Sequence, residues 1–172
     1  MPSKERIEEK MQALAKLLGV AVRDTSHLAQ AMYCERQGRD NYTNDAMATL
    51  GDAVLKLIWS EYFFNKGFDK DQISAHKADM ENNATLKRLC EKIGIYDYAY
   101  NDLYFGDEAL PHSYGPRRPE HDFYLEAVIA AIYRDQGLAY TRDWVLNFWQ
   151  KHADAIVPKG TKPQKQAQAR EN

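Results

Sequence analysis

From about Thr43 to Lys66 the chain carries one long helical pattern that is apolar on more than one side, and this segment constrains the fold most. Met47, Leu50, Val54, Leu57 and Ile58 fall on one face. The opposite side holds Asp45, Ala48, Asp52, Lys56 and Trp59, which is not a purely solvated face. A helix apolar on more than one side is central to its fold. The remaining segments repeat the same period. It predicts helices over Lys4 to Leu18, after Thr25-Ser26 (through Leu28, Ala31 and Met32), over about Asp71 to Ile93, about Glu120 to Gln136, and Thr141 to Ala155. Gly19, Gly67 and Gly94 stop three of these runs. Gln37 to Asn41 is a loop, and Tyr96 to Glu120, rich in aromatic residues and prolines, reads as a long irregular connection of the kind that is often functional. No internal repeat and no convincing strand is found. The fold class is all-α, a helical bundle.

At 172 residues the chain is long enough for a substantial core in one domain, expected over residues 1–158. The basic stretch 159–172 reads as a disordered tail. No run of eighteen apolar residues exists and the first ten residues are mostly polar, so neither a membrane span nor a secretory signal is expected. Cys34 and Cys90 form no CxxC and sit in helical patterns, as buried thiols of a reducing, cytoplasmic compartment would. With a formal net charge of −2, any nucleic-acid partner needs a local basic patch.

Two acids stand inside apolar helical runs: Asp52 in Leu50-Gly51-Asp52-Ala53-Val54-Leu55, and Glu126 in Phe123-Tyr124-Leu125-Glu126-Ala127-Val128-Ile129. A carboxylate among apolar neighbours loses hydration and is rarely left without a partner. Two such groups on separate helices can share one, and a divalent cation is the simplest candidate. Each also has an ordinary reading. Asp52 can pair with Lys56 one turn on, a surface contact of a few tenths of a kcal/mol. Gly51 beside it costs about 1 kcal/mol of helix propensity relative to Ala, which suggests a close approach to the backbone there. Asp122 and Glu126 are one turn apart, with no Lys or Arg three or four residues from Glu126. They repel unless a cation lies between them or a raised pKa lets them share a proton. Asp and Glu without His or Cys form a hard donor set, favouring Mg²⁺ or Mn²⁺ over zinc. Of the five histidines only His121 is near the acids. Mg²⁺ keeps several waters and leaves room for phosphate oxygens, which suits phosphoryl chemistry.

Asn44-Asp45-Ala46-Met47-Ala48-Thr49-Leu50-Gly51-Asp52-Ala53-Val54-Leu55 resembles the signature helix of the ribonuclease III endonuclease domain, N-E-R-L-E-F-L-G-D-A-V-L. Asn82-Asn83-Ala84-Thr85-Leu86 resembles the family's N-N-x-T-L segment, and Glu126 to Leu138 its E-A-L-I-G-A-I-Y-L-D-G-G-L helix. Gly115-Pro116-Arg117-Arg118-Pro119 stands where the family has a G-x-R-R-P-like loop, and the order agrees over roughly residues 4 to 155. The resemblance implies an all-helical homodimer that cuts double-stranded RNA with Mg²⁺. By position, Asp52 and Glu126 match two of four metal-holding carboxylates and become the candidate catalytic residues. The other two positions depart, to Ala48 and Phe123. Asp122, one residue from Phe123, is the candidate replacement, completing a metal set of Asp52, Asp122 and Glu126. Asp45, about 10 Å from Asp52 by helix rise, acts only through water or RNA. RNA contacts fall to Asn82, Asn83, Lys87, Arg117 and Arg118, with Lys70, Lys77 and Arg88 as further positive groups.

Thr49 stands where the family has a large aromatic that plugs the partner subunit. No double-stranded-RNA-binding domain is expected after residue 158, which resembles the compact Mini-ribonuclease III branch, whereas the segment after Gly67 is closer to the ordinary bacterial type. Three functions compete on these residues: a metal-dependent endoribonuclease acting on double-stranded or structured RNA, a degenerate non-cutting RNA-binding or assembly dimer, and an all-α nucleotide pyrophosphohydrolase. The last would need paired acidic motifs that are not found.

Overall fold

A helix is defined at its ends as much as by its apolar face, and the first one shows both. In the computed structural model, which describes residues 2–108, 115–117 and 123–159, α1 spans Lys4–Leu18. The Ser3 hydroxyl accepts a hydrogen bond from the Arg6 backbone N–H, satisfying one of the free amides of the first turn. Met11, Leu14, Ala15 and Leu18 are buried along one stripe. Helices α2 (Ser26–Met32) and α3 (Asp45–Asn65) follow, the latter the long central element.

The single helical run expected over Asp71 to Ile93 is two helices, α4 (Lys70–Glu81) and α5 (Asn83–Ile93). Asn82 lies in extended backbone between them, with φ −68° and ψ 156°. Its side-chain oxygen accepts from the Thr85 N–H, while its amide donates to the carbonyls of Ala78, Asp79 and Val157. An Asn side chain can compete in this way with the helical backbone ladder, and here it ends one helix while starting the next. Asp69 and Gln72 form a reciprocal capping box at the start of α4.

After a short 3₁₀ turn (Ile95–Tyr98) the chain pairs in isolated bridges, Tyr100 with both Tyr33 and Phe105, and no strand forms among the described residues. Helices α6 (Tyr124–Gln136) and α7 (Leu138–Lys151) then meet at Gly137, whose φ of 85° lets one residue turn the chain. The α6 start is four residues later than expected and the α7 start three residues earlier.

The core forms where α3 packs most extensively on α6, with α2 and α7 also against α6. Eight of the thirteen residues of α6 are buried, which makes it the most enclosed helix among those described. Cys34 and Cys90 are buried free thiols, as expected. On α3 the buried set is Met47, Ala48, Gly51, Val54, Leu55, Ile58, Trp59 and Phe63. Leu50 and Leu57, grouped with the apolar face by the helical period, instead point outward. No described helix is long and apolar enough to cross a membrane.

Candidate active site

Gly51 sets how closely the helices carrying the two candidate acids approach. A Cβ built on Gly51 would lie 1.6 Å from the Glu126 carbonyl oxygen and 2.5 Å from its carbonyl carbon. Helix α3 therefore touches the backbone of α6 at Glu126, and the propensity cost of a mid-helix glycine is offset by this contact. The next residue on α3 is Asp52, so both acids belong to residues at or beside this backbone contact. Both residues are half-buried.

Asp52 is not bare. The Lys56 ammonium donates to both of its carboxylate oxygens, at 2.6 and 2.7 Å, from one turn further along α3. Burial lowers the Lys56 pKa, but the hydrogen bonds and charge of Asp52, with the charges of Glu81 and Glu126, outweigh it and raise the value. Lys56 thus feels the charge of acids on three helices.

Glu81, the last residue of α4, was not singled out by the sequence. Its side chain is only 11% exposed, and its Oε2 is buried without a hydrogen-bond partner. Burial raises its carboxyl pKa, Lys77 and Lys56 lower it, and the Asp52 charge raises it further, with a net upward shift. Lys77 stands 3.8 Å away. The only sequence cue was an acid at the end of a helix beside the Asn82 junction, and local pattern does not say that this end faces α3.

Other candidate positions have different surroundings. Ala48 is buried one turn before Asp52, so the departure from the family acid leaves a methyl group there. The Asp45 carboxylate accepts from the Tyr42 N–H and braces the start of α3. Asn82 is 8% exposed, with its amide and oxygen engaged by backbone partners, while Asn83 is exposed. Lys87 lies 3.9 Å from Glu91 on the same helix. The Arg117 guanidinium lies over the Tyr42 ring at 4.3 Å and near the Phe123 ring at 5.3 Å, and its carbonyl accepts from the Tyr124 hydroxyl. Asp122 and Arg118 lie outside the described residues, and α6 begins at Tyr124.

The donors at the crossing suit a hard cation: Asp52 and Glu126 are carboxylates, and Glu81 carries a buried unpartnered oxygen close enough to feel Asp52. Among the described residues no three His, Cys, Asp or Glu side chains are grouped tightly enough to hold a metal. Mg²⁺ needs only one or two protein carboxylates when substrate oxygens and waters complete its shell, so the pair fits that ion.

The chain resembles known proteins in both sequence and fold. The chain is 26% identical over 145 residues to Ribonuclease 3 of Methylococcus capsulatus, covering 83% of this chain and 60% of the relative. It is 24% identical over 160 residues to that of Chloroflexus aurantiacus, covering 88% and 64%. The chain thus spans less than two thirds of the length of these curated relatives. Two solved structures of the nuclease domain of Ribonuclease III from Campylobacter jejuni share the fold. One has a TM-score of 0.63 at 23% identity, covering 83% of this chain and 96% of that one. The other has a TM-score of 0.61 at 25% identity, covering 84% and 94%. The Ribonuclease III domain model matches residues 45–137, from the first residue of α3 through the Gly137 joint. That match takes in more than half of the chain, and the protein belongs to the ribonuclease III family.

Proposed function

We propose that the chain is an endoribonuclease that hydrolyses phosphodiester bonds of double-stranded or structured RNA with Mg²⁺ or Mn²⁺. The observation that carries this reading is the backbone contact of Gly51 on Glu126, which packs the helix of Asp52 closely against the helix of Glu126. Asp52 and Glu126 would hold the ion, with Asp122 as the proposed third ligand. The ion, when bound, supplies activation of a water and neutralisation of charge on the phosphodiester. The chain's own residues supply the rest. Gly51 sets the separation of the two helices, buried Ala48 and Trp59 flank the acids along α3, and Asp45 braces the start of that helix.

Duplex RNA is read by shape, through its phosphates and 2′-hydroxyls. Exposed Lys70, Asn83 and Arg88, together with Lys87, Arg117 and Arg118, are the proposed contacts. Asn82 would then act through the shape of the α4–α5 junction, since its own side chain is engaged. A homodimer through α3 belongs to the same reading. One solved Campylobacter jejuni nuclease domain is described by a flexible region involved in dimer formation. The buried thiols and the family's bacterial relatives fit a cytoplasmic place of action.

The test is cleavage of a labelled RNA duplex in Mg²⁺ and in Mn²⁺. Asp52→Asn and Glu126→Gln should each lower cleavage about a hundredfold or more, because a cation at the phosphodiester supplies several kcal/mol and each 1.36 kcal/mol is about tenfold. Ala48→Glu should strengthen metal binding, being one turn from Asp52 on the same face. A wild type silent in both metals, with cleavage gained in Ala48→Glu, would replace the enzyme by a non-cutting RNA-binding or assembly module. Cleavage that survives Asp52→Asn would show that the catalytic site lies elsewhere.

A further inference from the structure

Within the acidic crossing stands one cation of the chain's own. The Lys56 ammonium is chelated by both oxygens of Asp52, at 2.6 and 2.7 Å, and the charges of Glu126 on α6 and Glu81 on α4 act on it as well. An exposed i,i+4 ion pair on a helix normally involves two partners and little else. This one is also felt from two further helices, through Glu126 on α6 and Glu81 on α4, with Lys77 beside Glu81. The Lys56 side chain is 47% exposed, so its outer end has open solvent into which it can move.

We propose that Lys56 is the resident counter-ion of the carboxylate cluster, occupying the place of a divalent ion and having to release Asp52 before that ion loads. The inference rests on reading Asp52 and Glu126 as the metal-holding pair. With the ammonium 2.6 and 2.7 Å from the two Asp52 oxygens, a divalent ion on that carboxylate would lie against a like charge. Loading is therefore an exchange of one cation for another. Buried Ala48 adds to the effect, since it provides no extra carboxylate to favour the divalent ion over the lysine.

The experiment measures Mn²⁺ binding by electron paramagnetic resonance, and by the metal-dependent shift in Tm, on wild type, Lys56→Gln, Lys56→Arg and Asp52→Asn. No RNA and no cleavage enter the readout. Lys56→Gln should bind Mn²⁺ about tenfold or more tightly than wild type, the scale of repulsion between a unit charge and a divalent ion a few ångströms away in water. Without metal it should melt below wild type, because Asp52 loses its counter-ion, and Mn²⁺ should restore the difference. Lys56→Arg, which keeps the charge, should bind as weakly as wild type. Equal Mn²⁺ affinity in wild type and Lys56→Gln, abolished in Asp52→Asn, would overturn the role of Lys56 and leave the metal pair standing. Absence of Mn²⁺ binding in Lys56→Gln would overturn both, and an affinity indifferent to Asp52→Asn would place the ion away from this crossing and overturn both as well.

Discussion

Glu81 is a half-buried carboxylate with one oxygen that no hydrogen bond compensates. Its Oε2 has no partner, and burial together with the Asp52 charge raises its pKa from the ordinary value of 4.5 against the opposing pull of Lys77 and Lys56. The folded chain therefore keeps this proton to higher pH than the unfolded chain. Stability contributed by Glu81 is fully present below about pH 4.5 and is lost as pH rises through the folded value. Glu81→Gln keeps the shape and removes the charge. Thermal melts across pH 4 to 8 should put the variant above wild type at the alkaline end, with the gap closing toward the acidic end. A gap that widens on acidification would show that Glu81 is stabilised as a carboxylate. Asp52, by contrast, has its charge answered by Lys56, so the two acids enter one cluster with opposite local solutions.

Among the elements, the α3–α6 crossing is the one that positions chemistry. Gly51→Ala would set a methyl group within bonding distance of the Glu126 carbonyl, so the helices must separate. Overpacking of this kind costs about 1–3 kcal/mol, and the backbone, unlike a side chain, cannot step aside. The gain in helix propensity is about 1 kcal/mol, so the loss prevails. Tm should fall by several degrees at about 2–4 °C per kcal/mol. Mn²⁺ affinity should weaken with it, because Asp52 and Glu126 are carried apart. Unchanged melting would mean that the helices do not touch at Gly51. The α4–α5 junction is the second instructive element. The helical period runs through Asn82 without a break, and the two helices part there because the Asn82 side chain takes the Thr85 N–H and three carbonyls, one of them from Val157 at the far end of the chain.

For the whole molecule, α3 leaves an apolar stripe uncovered. Leu50, Leu57 and Phe64 recur every seventh residue, with exposures of 36%, 49% and 70%, and exposed Ala53 fills the space between the first two. This is the spacing of a helix seam that packs against another helix, and a twofold dimer would pair it with itself. Thr49, where the family carries an aromatic plug, is exposed beside the stripe with its hydroxyl donating to the Asp45 carbonyl, so the seam has to rest on the leucines and Phe64. Sedimentation at micromolar concentrations should show a dimer for wild type and a monomer for the double variant Leu57→Glu, Phe64→Glu. A wild-type monomer would sink the dimer. The order of helices, most of their ends and the family motifs were legible in the sequence, because helical period, Gly19 and Gly94 act through neighbours a few residues away. The presence of Asp52 and Glu126 in apolar runs was legible for the same reason, and Gly51 beside Asp52 already signalled a close backbone. The Asp52–Lys56 pair was legible as an i,i+4 spacing, and only tertiary structure decided that Gly51 meets Glu126, that the Glu81 charge reaches Asp52 and Lys56, and that Leu50 and Leu57 face outward. Those outcomes depend on which helix lies across which face, and an interhelical crossing leaves no period in the chain.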